Sequence, residues 1–333
     1  MTAPKSILVT GGAGYIGSHA CKALAQAGYR PVTYDNLVYG HRWAVKWGPF
    51  VHGDILDRER LERAMREYDI CAVMHFAAFT YVGESVADPA KYYRNNVAGA
   101  LNLLDAMRAC NVSKFVFSST CAIYGAPETP LLSESHRRAP VSPYGASKLM
   151  IEQILADYGP AYGLGSAALR YFNAAGADPD GELGEEHDPE SHLIPLTLDA
   201  AAGLREHLTV FGADYDTPDG SCIRDYIHVS DLAEAHVLAL ASLGGESGMQ
   251  PYNLGSGAGH SVLQVIAAAE EITGRPIPLR MSGRRPGDSP SLVADASLAK
   301  RRLDWTPRRS SLAEMIGSAW RWTQSSQHRV RGP

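Results

Sequence analysis

The stretch Ser6-Ile7-Leu8-Val9-Thr10-Gly11-Gly12-Ala13-Gly14-Tyr15-Ile16-Gly17 decides the fold. Ser6 to Thr10 is a near-continuous apolar run stopped by glycines, the pattern of a strand buried on both faces. From Tyr15 a helical stretch runs to a glycine stop at Gly28. Glycines between the two let the backbone turn tightly, approach a pyrophosphate and pack helix against strand. The helix N-terminus then offers free N–H groups to the anion. A glycine-rich turn alone is equally a plain strand–helix connection; its place after a strand favours a dinucleotide site. Asp35 ends the next strand, 24 residues beyond Gly11. A carboxylate there accepts hydrogen bonds from an adenosine ribose and repels a 2′-phosphate, so NAD is expected rather than NADP. Gly53-Asp54-Ile55, after a third strand, is placed to hold an adenine edge.

The alternation continues outward. Strands are expected at Pro31–Tyr34, Pro49–His52, Cys71–Phe76, Lys114–Ser118 and Ala167–Tyr171. Helices are expected at Asp57–Tyr68, Pro89–Cys110 and Pro143–Tyr158. Such alternation predicts an α/β fold, a Rossmann doubly wound parallel sheet with a smaller mixed α/β substrate domain. The division read from the pattern is 1–172 for the dinucleotide domain, with 173–222 and 254–325 for the substrate domain. A strand–helix unit near 223–253, Asp225–Val229 followed by Asp231–Leu243, is expected to return to the main sheet. Residues 326–333 read as a flexible tail.

Composition is that of an ordinary globular chain: 333 residues, 45% hydrophobic, 20% charged, net charge −5. A mildly acidic chain with 8% aromatics is not expected to bind nucleic acid. Five scattered cysteines without a CxxC fit reduced thiols better than disulfides or a zinc site, so no metal is expected. With no apolar run of membrane-spanning length and no signal-like N-terminus, a cytoplasmic location is expected.

Tyr144-Gly145-Ala146-Ser147-Lys148 carries the chemistry. At i and i+4 on a helix, Tyr144 and Lys148 share a face. An ammonium, or a nicotinamide cation, near a phenol favours the phenolate and would make Tyr144 an acid/base at neutral pH. A Tyr/Lys pair at this spacing is common on helix surfaces. It gains weight from Phe117-Ser118-Ser119-Thr120, a strand end whose hydroxyls could bond the same substrate oxygen.

These motifs together resemble the extended short-chain dehydrogenase/reductase family, and within it the UDP-glucose (UDP-galactose) 4-epimerase group. The likeness runs from about Ile7 to Trp322. It includes His75-Phe76-Ala77-Ala78, Tyr92-Tyr93-Arg94-Asn95-Asn96-Val97, Leu169-Arg170-Tyr171-Phe172-Asn173 and Arg285-Pro286-Gly287-Asp288. The resemblance implies 4-epimerisation of a UDP-sugar through a transient 4-keto intermediate, with tightly bound NAD. It assigns catalysis to Thr120, Tyr144 and Lys148. NAD would be held by Gly11, Gly14, Tyr15, Ile16, Gly17, Asp35, Asn36, Asp54, Ile55, Phe76, Ala77, Asn95, Ser118, Tyr144, Lys148 and Tyr171. The UDP-sugar would meet Thr120, Asn173, Leu193, Phe211, Arg224, Arg285 and Asp288, and a homodimer is implied.

Three positions bear on the sugar. Thr80 stands where many such epimerases carry Lys, and Leu292 where some carry Tyr at the far wall of the sugar pocket. His192, beside Leu193, is a further substrate-contact candidate. These departures leave room for a UDP-pentose (xylose/arabinose) or a UDP-N-acetylhexosamine. A nucleotide-sugar 4,6-dehydratase is the runner-up enzyme. It needs an Asp-Glu pair directly after the strand-end Thr, and here Cys121-Ala122 follow Thr120. A non-catalytic NAD-binding protein is disfavoured because both Tyr144 and Lys148 are present.

Overall fold

The computed structural model describes residues 4–244, 247–285 and 288–325. The apolar runs become β1 (Ser6–Thr10), β2 (Arg30–Asp35), β3 (Phe50–His52), β4 (Ile70–His75), β5 (Lys114–Thr120) and β6 (Gly165–Tyr171). Between them lie α1 (Tyr15–Gln26), α2 (Arg58–Glu67), α3 (Val82–Ala87), α4 (Pro89–Tyr92), α5 (Gly99–Ala109) and α6 (Pro143–Tyr162). The chain continues through β7 (Asn173–Ala175), α7 (Leu193–Ala201), β8 (Leu208–Phe211), β9 (Ile223–His228), α8 (Val229–Ser242) and β10 (Gly248–Leu254). It ends with β11 (Gly259–Ser261), α9 (Val262–Thr273), β12 (Leu279–Ser282), β13 (Ser291–Leu292), α10 (Ser297–Leu303) and α11 (Leu312–Gln324).

Seven parallel strands hydrogen-bond in the order β3-β2-β1-β4-β5-β6-β10, the doubly wound sheet that the alternation predicts. Apolar side chains of α1, α8 and α10 cover one face, and those of α2, α5 and α6 the other. Both faces are therefore dry, which is why the strands read as continuous apolar runs rather than alternating ones. A second core gathers α7, α9, α11 and β8.

The structure departs from the sequence reading in three places. The strand over Asp225–Val229 does not return to the main sheet: β9 pairs with β7, β11 and β13 in a four-stranded sheet. The strand that returns is β10, which carries Gln250 and Pro251; as it pairs only with β6, it is an edge strand, where Pro is tolerated. The stretch Pro89–Cys110 is helical as expected to Ala109, but α4 and α5 are joined by a π-helical turn at Tyr93–Ala98. Finally, α6 runs past Tyr158 and through Pro160 to Gly163, whose left-handed backbone (φ 70°) ends it. The segment 326–333, read as a tail, lies outside the described residues. Among the described residues no helix is long and apolar enough to cross a membrane.

One buried ion pair ties β5, β6 and α6 together. Arg170 on β6 donates to both carboxylate oxygens of Glu152 on α6, at 2.9 and 2.6 Å, and both side chains are almost wholly buried. Ser119 on β5 donates to the same carboxylate at 2.6 Å, and Arg170 also reaches the Tyr124 hydroxyl at 3.0 Å. Removing one member strands the other charge in the core. Glu152→Ala is therefore expected to lower stability by about 3–5 kcal/mol, read from urea unfolding.

Candidate active site

The turn from β1 into α1 is built backbone against backbone. Gly11 has φ +73°, and a Cβ there would lie 2.5 Å from the Ala77 nitrogen. A Cβ on Gly17 would lie 2.1 Å from the Gly11 carbonyl oxygen. The Thr10 carbonyl accepts the N–H groups of Phe76 and Ala77 at 2.8 and 3.1 Å, so the turn sits at the carboxyl ends of β1 and β4. Those strands lead in opposite directions along the sheet, and the crevice between their ends is where doubly wound sheets hold ligands. The N-terminus of α1 faces it without a side-chain cap and without an acidic residue in its first turn. Its free N–H groups suit an anion.

The acid expected at the end of β2 is in place. Asp35 accepts the Ala13 N–H at 3.0 Å and the Leu37 N–H at 2.8 Å, and burial pushes its carboxyl upward. Asn36 donates to Asp54 at 2.9 Å, so these two arrive at the crevice as a pair. Ile55 is buried in the core against Gly99, which leaves its backbone rather than its side chain for the crevice. Asn95 rides on the π-helical turn, a distortion often found at functional sites. Its neighbour Asn96 holds the turn to the loop after β4 through Phe79 and to α6 through Ser147.

Tyr144 and Lys148 enter from α6, whose start is set by Pro143 and by the Ser142 hydroxyl accepting the Gly145 N–H at 3.2 Å. Thr120 and Ser118 end β5 beside them. Lys148 is fully buried; its Nζ donates to the Ser118 carbonyl at 2.8 Å and lies 6.0 Å from the Tyr144 ring centre. Among the described residues no carboxylate pairs with it, and burial pushes the ammonium down to about 7. The phenol of Tyr144 is pushed up to about 12, again by burial, with the Thr120 hydroxyl acting against the rise. Burial thus moves both groups away from their charged forms, the opposite direction from the phenolate-favouring effect expected of a neighbouring cation. Tyr171, from the end of β6, shares a short hydrogen bond with the Ser118 hydroxyl.

Across the crevice the smaller sheet supplies a second cluster. Asp288 lies 3.4 Å from the Arg224 guanidinium and 3.2 Å from that of Arg285, which stacks 4.6 Å over Phe211. Arg224 is further held by the carbonyls of Ile223 and Ser289. Leu292 is in register with Arg224 and packs on the apolar cluster that includes Ile123 and Phe172. Asn173, on β7, donates to the Asp225 carbonyl at 2.8 Å. Leu193 opens α7. Thr80 is exposed on the loop after β4.

His192, directly before Leu193, has its Nδ1 2.5 Å from a Glu185 carboxylate oxygen, in a cluster with His187 and Glu190. Sequence reading missed that cluster, although the symmetric spacing Glu-x-His-x-x-Glu-x-His was visible. It also missed His236 of α8, buried between Phe76 and Tyr171 at ring distances of 4.8 and 5.8 Å; only the fold brings those three together.

The model of the NAD dependent epimerase/dehydratase family matches residues 7–255. A UDP-glucose 4-epimerase of Rhizobium leguminosarum bv. trifolii is 52% identical over 329 residues, covering 98% of this chain and 100% of the relative. The crystal structure of a UDP-glucose 4-epimerase from Brucella ovis in complex with NAD superposes with a TM-score of 0.93 at 54% identity, covering 95% of this chain and 98% of the other. A UDP-glucose-4-epimerase from Stenotrophomonas maltophila, solved with bound NAD and formylated UDP-arabinopyranose, gives 0.92 at 44% identity, with 96% and 97% covered.

A side chain at Gly17 has to displace the Gly11 carbonyl, whereas one at Gly83 meets nothing within 4 Å. Gly17→Ala is accordingly expected to lose most of the nicotinamide nucleotide released on denaturing the purified protein, while Gly83→Ala retains it. Equal nucleotide content in the two would count against a dinucleotide site at this turn.

Proposed function

The chain belongs to the NAD dependent epimerase/dehydratase family, and on that premise we propose that it interconverts UDP-glucose and UDP-galactose by inverting C4 of the hexose. The reading rests on Tyr144 and Lys148 at the end of β5, where the charge of Arg224 is felt at Cys121, and on the pairing of Arg224 and Arg285, two guanidinium groups suited to a diphosphate.

The residues fit NAD. The uncapped N-terminus of α1 receives the pyrophosphate through the N–H groups of Tyr15, Ile16 and Gly17, and Gly11 and Gly14 keep the approach free. Asp35 and Asn36 face the adenosine ribose, and Asp54 with the Ile55 backbone faces the adenine. Phe76, Ala77, Asn95, Ser118, Lys148 and Tyr171 line the nicotinamide side. When bound, NAD supplies a hydride acceptor for C4 and returns the hydride to the other face of the 4-keto sugar.

This chain's own side chains manage the proton and the nucleotide. Tyr144 takes the proton from the C4 hydroxyl and later gives it back, and Thr120 holds the same oxygen. Lys148, anchored on the Ser118 carbonyl, places its ammonium under the ring. A buried phenol pushed up to about 12 holds its proton until positive charge arrives, so deprotonation is tied to a loaded site. Arg224 and Arg285 grip the diphosphate, Asp288 fixes both arginines, and Phe211, Asn173 and Leu193 complete the nucleotide side. Firm hold on the nucleotide with a loose hold on the sugar is what inversion requires. The dehydratase alternative is unsupported at the residues after Thr120: Cys121 is a thiol pushed up to about 12, and Ala122 carries no acid. A homodimer, formed through α5 and α6, is part of the proposal; Met150 and Tyr162 of α6 are exposed apolar side chains there.

Tyr144→Phe is expected to lower kcat by roughly 10²–10⁴-fold while NAD and UDP-sugar still bind. Coupled conversion of UDP-galactose to UDP-glucose measures it, and near-normal turnover would refute the acid/base role.

Leu292 favours a second, broader reading of the sugar. It presents only methyl groups beside Arg224, and an apolar wall discriminates by only about 1–3 kcal/mol per group, where a dedicated hydrogen bond rejects more strongly. A side activity on UDP-N-acetylglucosamine or UDP-xylose is expected, and Leu292→Tyr is expected to reduce it relative to UDP-glucose. A panel of the three sugars decides; strict glucose/galactose activity unaltered by the substitution would show that this wall does not set specificity.

A further inference from the structure

Outside the crevice, the segment from Gly184 to His192 folds so that four side chains converge. Glu185, His187, Glu190 and His192 each contribute one ligand atom, and all four atoms lie within 4.8 Å of one another. The Nδ1 atoms of His192 and His187 stand 2.5 and 3.2 Å from Glu185 Oε1, and each stands 3.6 Å from a Glu190 oxygen. Both carboxylates are buried, with side chains 6% and 7% exposed. His187 Nδ1 faces this space out of contact with solvent, 3.2 Å from Glu185 and 3.6 Å from Glu190.

The surroundings hold this shape. The Trp322 indole donates to the Glu185 carbonyl at 3.2 Å, His41 Nε2 meets the Glu186 carbonyl at 3.0 Å, and the Tyr81 hydroxyl donates to the Pro189 carbonyl at 2.8 Å. The N–H groups of Ser191 and His192 fix the Glu190 carboxylate at 2.7 and 2.9 Å. Two buried carboxylates this close need about two positive charges, and in the metal-free cluster they hold both imidazoles toward the protonated form, His187 up to about 10. A divalent cation supplies both at one point, with the imidazoles as neutral donors. Tetrahedral ligands about 2.0–2.1 Å from an ion stand about 3.3–3.4 Å apart; three of the four histidine–glutamate spacings are 3.2–3.6 Å, and the His192–Glu185 contact, at 2.5 Å, has to open to admit the ion. A mixed imidazole–carboxylate set suits zinc-class transition ions, whereas calcium and magnesium call for oxygen alone.

We propose that Glu185, His187, Glu190 and His192 form a binding site for one divalent transition-metal ion of the zinc class. The ion pins the segment leading into α7 against Tyr15, whose ring meets His187 edge-on at 6.3 Å, and so braces the wall between the α1 turn and Leu193. Its role is structural, and it stands independently of the epimerase reading.

The test uses untagged, NAD-loaded protein dialysed against a chelator and titrated with Co²⁺. The expected result is one Co²⁺ per chain with visible bands of tetrahedral nitrogen–oxygen coordination, displaced by Zn²⁺. His187→Gln and Glu190→Gln are each expected to weaken binding by more than about 100-fold, beyond the 10–100-fold effect of losing an outer partner, with NAD content retained. Added Zn²⁺ is expected to raise the Tm of the parent protein and not of the variants. A parent protein that binds no Co²⁺ stoichiometrically overturns the proposal without recourse to any variant, and so does undiminished binding by folded, NAD-retaining variants.

Discussion

Backbone packed on backbone at the β1–α1 turn is the constraint on which the rest depends. The Gly11 carbonyl occupies the space that a Gly17 side chain would need, and Ala77 occupies the space beside Gly11. This contact sets the height at which α1 leaves the sheet and seats its uncapped N-terminus over the crevice. Thr10 joins the strand ends a second way, its hydroxyl 2.7 Å from His75 Nδ1 on β4. Without that approach the crevice would lack its floor, and Asp35, tied to Ala13, would lose its orientation.

A second constraint is that the chemistry takes place where water is scarce. Lys148 and Tyr144 are both moved away from their charged forms by burial, in opposite directions on the pH scale. Rigidity comes from below: the Arg170–Glu152 pair fixes β6 to α6, and the Ser119 hydroxyl adds β5. The two hydroxyls and the ammonium that face the crevice are thus carried by elements that cannot shift independently.

The two lobes are joined through acidic groups as well as apolar contact. Asp225 on β9 is wholly buried and accepts the N–H groups of Ser256, Gly257 and Ala294 together with the Ser256 hydroxyl. It binds the loop after β10 to the strand that carries Leu292. On the other flank, Lys22 of α1 gathers Asp178, Asp180 and Glu182 at 2.7–2.8 Å.

Composition and local pattern determined the parallel sheet, the glycine turn, the acid at the end of β2 and the Tyr144–Lys148 face, because each depends on residues close in sequence and on the period of burial. The elements read wrongly were those whose partners are distant. β10 is hidden by Gln250 and Pro251 because only an edge position tolerates them, and β9 belongs to the smaller sheet because its neighbours come from residues 173–175, 259–261 and 291–292. Likewise the assembly of Phe211, Arg224, Arg285 and Asp288, the insertion of His236 between Phe76 and Tyr171, and the turning of His192 toward Glu185 were decided by tertiary structure alone. So was the protonation balance of Tyr144 and Lys148. Sequence spacing places an ammonium beside a phenol, but how far burial strips both of water depends on everything folded around them.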